Sequence, residues 1–250
     1  MKQERSVPET QDYITLDHLS RPRGGVRRWR RALRRVLADR PAGLRSVLIN
    51  NSNFGTFTKI PKLLPANGAL VMAWDDADVA AAAFAGPLGD LVDEPGRFRV
   101  DGEVTRVRLE NPGDTWHGWL PCAEGAAPIT RDEPLIVVVH GILHPRHLGT
   151  FANDNIDAAS RARHHPGHRG SIDVASKFPF EHTSISLWKT HALAMDYAYK
   201  PGGHKPAMQR TKDETTHKTG LFLQVRPLAS SGNLGINEPA FPNLPPVTRR

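Results

Sequence analysis

One cysteine, Cys122, stands in 250 residues. A lone thiol excludes an internal disulfide framework and fits a reducing compartment. No stretch approaches the roughly 20 consecutive apolar residues that a membrane-spanning helix needs. The opening MKQERSVPET has no apolar run, so no secretory signal is read there and a bacterial cytoplasm is the expected setting. The 21 glycines and 21 prolines form neither a phosphate-cradling loop nor a dinucleotide fingerprint. Cysteine pairs, H-E-x-x-H and C-x-x-C-H are all missing, which removes the common zinc and covalent-haem signatures.

What is present fits a soluble globular protein, at 39% hydrophobic and 24% charged residues. The net charge of +7 is unevenly placed. Residues 1–45 hold 12 Lys/Arg against 5 Asp/Glu, whereas the remaining 205 hold 21 of each. The excess centres on VRRWRRALRRVLA (26–38), where Val26, Trp29, Leu33, Val36 and Leu37 form one apolar stripe at helical spacing. An outer helix with a solvated basic face is one reading; peripheral contact of 26–38 with an anionic membrane surface is the other. Nucleic acid is not expected, because no basic aromatic platform accompanies the arginines.

Alternation and apolar runs mark strands at QDYITLDHL (11–19), LRSVLIN, GALVMAW and RFRVDGEVTRVRLE (97–110), with the basic helix and DDADVAAAAFAG between them. The order β-α-β-β-α-β then recurs. PLIVVVHGIL, GSIDVAS, HTSISLW and GLFLQVRPL (220–228) read as strands, with helices at HLGTFANDNIDAASRARHH (147–165) and KTHALAMDYAYK. Two copies of about 100 residues imply an α+β fold of two tandem ferredoxin-like repeats, whose sheets fuse into a dimeric α+β barrel-type core. The expected organisation is a loose N-terminus (1–10), a first repeat (11–111), a linker (112–133), a second repeat (134–228) and a C-terminal tail (229–250). Residues 240–250, like 1–10, are expected to be poorly tied to the core.

Candidate chemistry is concentrated late in the chain. VVVHGILHP is similar to the segment near the oxyanion hole of α/β-hydrolases, but no G-x-S-x-G elbow exists to supply a nucleophile. Seven of the twelve histidines fall between His140 and His182; HHPGH among them reads as a solvated Pro-Gly turn. SLWKTHALAMDYAYKPGGHKPAMQR (186–210) gathers a Trp, two Tyr, two Met and two His around Pro201-Gly202-Gly203. On a helix from Leu187, His191 shares an apolar face with Ala194, Met195 and Ala198, and His204 follows the break.

Ser186, Leu187, Trp188, Ala194, Met195, Tyr197, Ala198, Tyr199 and His204, followed by Leu221-Phe222, stand where the spheroidene monooxygenase family has its S-L-W, A-M, aromatic-Ala-Tyr, His and L-F. The chain therefore resembles that family, over roughly residues 45–240 and most specifically over 184–222. Thr216-His217 stands where the family tends to have an aromatic pair, and Gln224 where it has a basic residue. The resemblance implies a dimeric α+β barrel and haem-dependent oxygenation of an apolar substrate, with haem b as cofactor and an electron donor as a further partner.

A haem iron needs an axial His, Cys or Tyr. His204 is the first candidate, since a ring beyond a helix break projects freely. His191 and His217 are alternatives, and Cys122 is a fourth. Arg210 is the candidate propionate partner, and Trp188, Met195 and Tyr199 are the candidate apolar wall. Two other readings stay open: a haem-dependent dehydratase or rearrangement enzyme, and a non-catalytic ligand-binding barrel.

Overall fold

The computed structural model describes residues 11–54, 67–175, 180–200, 204–234 and 239–247. The first repeat runs β1 (Tyr13–Ser20), α1 (Val26–Val36), β2 (Leu44–Phe54), β3 (Asn67–Trp74), α2 (Ala77–Phe84), α3 (Pro87–Val92) and β4 (Arg97–Leu109). The second runs β5 (Leu135–Leu143), α4 (Leu148–Arg163), β6 (His168–Ala175), β7 (Glu181–Trp188), α5 (His191–Tyr199), α6 (Lys205–Glu214) and β8 (His217–Ser231). All pairings are antiparallel, and the eight strands close into a barrel in the order β1-β3-β2-β6-β7-β5-β8-β4. Each repeat supplies the ferredoxin-like order; β2–β6 and β4–β8 are the seams. The fold is the expected α+β barrel.

Strand alternation decides what fills it. Even-numbered residues of β1 and β5, such as Ile14, Leu16, Ile136 and Val138, point into one interior cluster. Odd-numbered ones such as Tyr13, Leu19 and Leu135 face the helices. Local chemistry sets the helix starts: Asp76 accepts the Val79 N–H at 2.8 Å ahead of α2, and Thr190 accepts the Leu193 N–H at 3.2 Å ahead of α5.

Four expectations need correction. The helix read from Leu187 begins at His191; Leu187 and Trp188 belong to β7, because Lys189-Thr190 form the cap. Leu187 thus faces the barrel interior, and His191 is the first residue of α5, its N–H donating to the Glu133 carbonyl at 2.8 Å. The last strand starts three residues early and ends at Ser231, so His217 is a strand residue and 229–231 is no tail. Residues 240–247 are not loose: Ala240 and Phe241 are buried in the barrel interior, and the Ser230 N–H donates to the Pro245 carbonyl. Residues 1–10 and 248–250 lie outside the described residues. Finally, the segment between the repeats is part of the core. Trp116 and Trp119 pack in the interior, and Asp12 accepts from the Trp119 indole and the Cys122 N–H.

Candidate functional site

The two repeats superpose in register, and their helix-facing layers differ. Trp74 lies opposite Tyr13 and Trp188 opposite Leu135, so Asp17, Leu19, Gly68, Leu70 and Met72 correspond to Val139, Gly141, His182, Ser184 and Ser186. In the first repeat these positions are sealed. Leu19, Leu70 and Met72 have essentially no exposure, and the Trp29 indole of α1 lies flat over Gly68, where a Cβ would come within 2.3 Å of it. Among the described residues, eleven buried side chains form this layer, against five in the second repeat.

In the second repeat the same floor is open. Val139 is 38% exposed, and Ser184 and Ser186 are only half-buried. The helix above, α4, presents Phe151, Asn155, Ala158 and Ala162 in place of Trp29 and Leu33. Phe151 meets the rings of His182 (5.0 Å between centroids) and His217 (5.5 Å) edge-on. The His217 ring rests on Gly141, which has no Cβ to obstruct it; one added there would sit 2.2 Å from Cδ2. His217 Nδ1 is 3.3 Å from the Thr216 hydroxyl, while its Nε2 is buried with no partner. Burial pushes this imidazole down to about 4, so it is neutral at pH 7.

His204 lies at the entry to α6. Its N–H donates to the Tyr197 carbonyl at 3.0 Å, and its ring stacks on the Tyr197 ring at 6.0 Å and 7°. Tyr197 in turn donates its hydroxyl to the Ala158 carbonyl of α4 at 2.7 Å. His204 Nδ1 is buried without a partner, and burial lowers the pKa of the ring, offset in part by Asp154. His204 and His217 therefore both carry an unpaired nitrogen against α4.

The other candidates are placed less favourably. Trp188 is buried inside a stack of its own, with Tyr197 at 4.9 Å and His165 and His168 at 5.6 and 5.5 Å. Met195 packs on the edge of that cluster. Tyr199 is 56% exposed and forms no wall, because α5 ends there and turns it outward. Arg210 is half exposed and held by Asp154 at 3.4 Å, which occupies the guanidinium intended for a propionate. Cys122 sits beside Asp12 at the start of β1, in the first repeat. The HHPGH turn is solvated only in part: His164 and Pro166 are exposed, but His165 pairs with Asp196 at 3.3 Å, and both His165 and His168 are packed on Trp188.

A second cluster, unread in the sequence, lies on the interior face of the same strands. His140 is buried, with Nδ1 2.8 Å from the Thr183 hydroxyl and its ring stacked on Trp116 at 5.5 Å. Glu181, also buried, meets His117 Nε2 at 2.5 Å. Burial brings His140 down to about 4. Repeat alignment was the available signal for Gly141 and His140, since they stand where the first repeat has Leu19 and His18; Phe151 and His182 had none.

No family model matches the chain, and no curated protein does. Solved structures do. An aldoxime dehydratase in complex with butyraldoxime aligns over 89% of this chain and 81% of its own, at 11% identity and a TM-score of 0.54. A second aldoxime dehydratase structure aligns over 92% and 84%, at 10% identity and 0.54. A provisionally named monooxygenase from Lactobacillus acidophilus NCFM aligns over 90% and 98%, at 10% identity and 0.39. What the chain shares with the aldoxime dehydratases at this identity is its fold.

Proposed function

We propose that this chain is a haem-dependent enzyme, with haem b held in the second repeat between the β5–β7 floor and α4, and that it acts on an apolar organic substrate as a monooxygenase. The observation that carries this reading is the open floor of Val139, Ser184 and Ser186 beneath α4, with the buried rings of His217 and His204, each carrying an unpaired nitrogen, against the same helix, where the first repeat is sealed. A bare metal ion needs three or four protein donors, and no such group occurs among the described residues. A haem brings four of its own and asks for one axial nitrogen. The residues fit that demand. His204 would hold the iron, as the resemblance to the spheroidene monooxygenases implies, and its buried, unpartnered Nδ1 supports this. His217, lying on Gly141, keeps Nε2 for the substrate or for a proton. Phe151 borders the site, edge-on to the His182 and His217 rings, and leaves the floor reachable. When bound, the haem would supply the iron centre at which oxygen is activated.

The fold shared with the aldoxime dehydratases favours a second reading, loss of water from an oxime. There the aldehydic C–H and the N–O bond break, a nitrile forms and water departs; a neutral imidazole such as His217 suits that proton traffic.

Titration of the purified protein with haem b, read by its Soret band, tests the reading. The wild type is expected to bind with a shifted band, and His204→Ala to lose it with the fold intact. If the wild type shows no shift, the haem reading fails and the binding-module alternative replaces it. If His204→Ala keeps the band and His217→Ala loses it, His217 is the ligand. Incubation of the haem-loaded protein with butyraldoxime separates the two reactions: nitrile in the absence of oxidant selects dehydration.

A further inference from the structure

On α1, Arg27, Arg28, Arg31, Arg34 and Arg35 are all exposed, and none has an ion-pair or hydrogen-bond partner among the described residues. At 3.6 residues per turn the five fall within an arc of about 120°, along about 12 Å of helix. The opposite face is spent on the fold. Trp29 and Leu33 are buried, and the Trp29 indole N–H donates to the Leu91 carbonyl at 3.0 Å.

This arrangement costs the helix stability. The helix has no acidic residue in its first turn, where Arg27 and Arg28 instead oppose the macrodipole. Arg27–Arg31, Arg31–Arg34 and Arg31–Arg35 are like-charge neighbours at i,i+3 or i,i+4. The nearby ion pair, Arg23–Glu94 at 3.5 Å, lies ahead of the helix and leaves the array untouched. A face of this kind is stabilised by an external array of anions.

We propose that the arginine face of α1 docks this protein on an anionic lipid bilayer. The buried apolar stripe leaves nothing to insert, so the contact is with headgroup phosphates and carboxylates at the surface. The choice of lipid over nucleic acid rests on two points. No aromatic side chain is exposed on α1 to stack on a base. And the apolar substrate of the proposed function, on which this point rests, would be dissolved in the bilayer.

Co-sedimentation of the purified full-length chain with phosphatidylcholine vesicles, with and without phosphatidylserine, tests this without any turnover. The expected result is binding to the phosphatidylserine vesicles alone, abolished near 1 M salt, where the screening length falls to about 3 Å. Arg27→Gln, Arg31→Gln and Arg34→Gln alter only exposed side chains; each is expected to weaken partitioning about fivefold. Circular dichroism of the triple variant checks that the fold is intact. Absence of phosphatidylserine-dependent binding, or equal binding by a folded triple variant, overturns the proposal. So does tighter binding of the same face to duplex DNA at matched salt. Vesicle binding by a protein that takes up no haem would leave this inference standing and remove only the substrate argument.

Discussion

His18 and His140 occupy equivalent registers in the two repeats, both are buried, and burial brings both down to about 4. Their folded-state values lie below the ordinary 6.5, so on acidification the unfolded chain takes up protons first. The stability they contribute is complete above about pH 6.5 and is lost as pH falls toward 4, at about 1.4 kcal/mol per pH unit for each ring. Urea midpoints measured from pH 7 to pH 4.5 are expected to fall steeply, and His140→Gln to flatten the slope; a flat wild-type profile would show that the rings are not buried neutral. At Gly141 the argument is steric. Gly141→Ala must displace the His217 ring, and is expected to cost about 1–3 kcal/mol and to alter the Soret band of haem-loaded protein. Gly149→Ala, on α4 with nothing near its added Cβ, is the control and is expected to be neutral or stabilising. Equal effects of the two would remove the case for Gly141 as the seat of His217.

Among the elements, α1 and α4 play corresponding parts with different fillings. Trp29 seals the first repeat over Gly68, whereas Phe151 leaves Val139 and the two serines reachable. Trp29→Ala is therefore expected to cost about 3–5 kcal/mol in thermal or urea unfolding. Phe151→Ala should cost distinctly less and act instead on haem retention. Were the costs reversed, the functional layer would belong to the first repeat. The C-terminal segment is an element in its own right. Phe241→Ala, or truncation after Leu234, opens the barrel interior and is expected to lower the unfolding midpoint as a core deletion does.

At the scale of the whole molecule, the barrel joins the repeats into one cooperative unit. The β4–β8 seam pairs along ten positions, and Trp116, Trp119 and Phe241 fill the shared interior. Residues 1–111 and 134–247 expressed separately would each expose two long strand edges and half of that interior. Neither half is expected to be soluble and folded alone, while the full chain should melt in a single transition by calorimetry. A stable isolated second repeat would show that its open layer folds independently of the barrel.

The sequence by itself determined the barrel. Period-2 strands, period-3.6 helices and the recurrence of β-α-β-β-α-β are local properties, and ferredoxin-like units with exposed sheet faces have few ways to cover them. It also offers His204, by its place after Pro-Gly-Gly, and His217 as an alternative, as the ligands on which the proposed function rests. Tertiary structure alone decided the remainder. An apolar helix face through His191 requires extending the helix back to Leu187, whereas pairing of β7 with β5 and β6 keeps Leu187 and Trp188 in the strand that HTSISLW forms. Tyr199 and Arg210 were assigned by proximity along the chain, but α5 ends by turning one outward and Asp154 of α4 holds the other. Gly141 under His217, Phe151 against two imidazoles, and Glu181 beside His117 join residues separated by up to 76 positions. Only strand register brings such residues together, because it is set by the burial of whole faces rather than by any residue in the site.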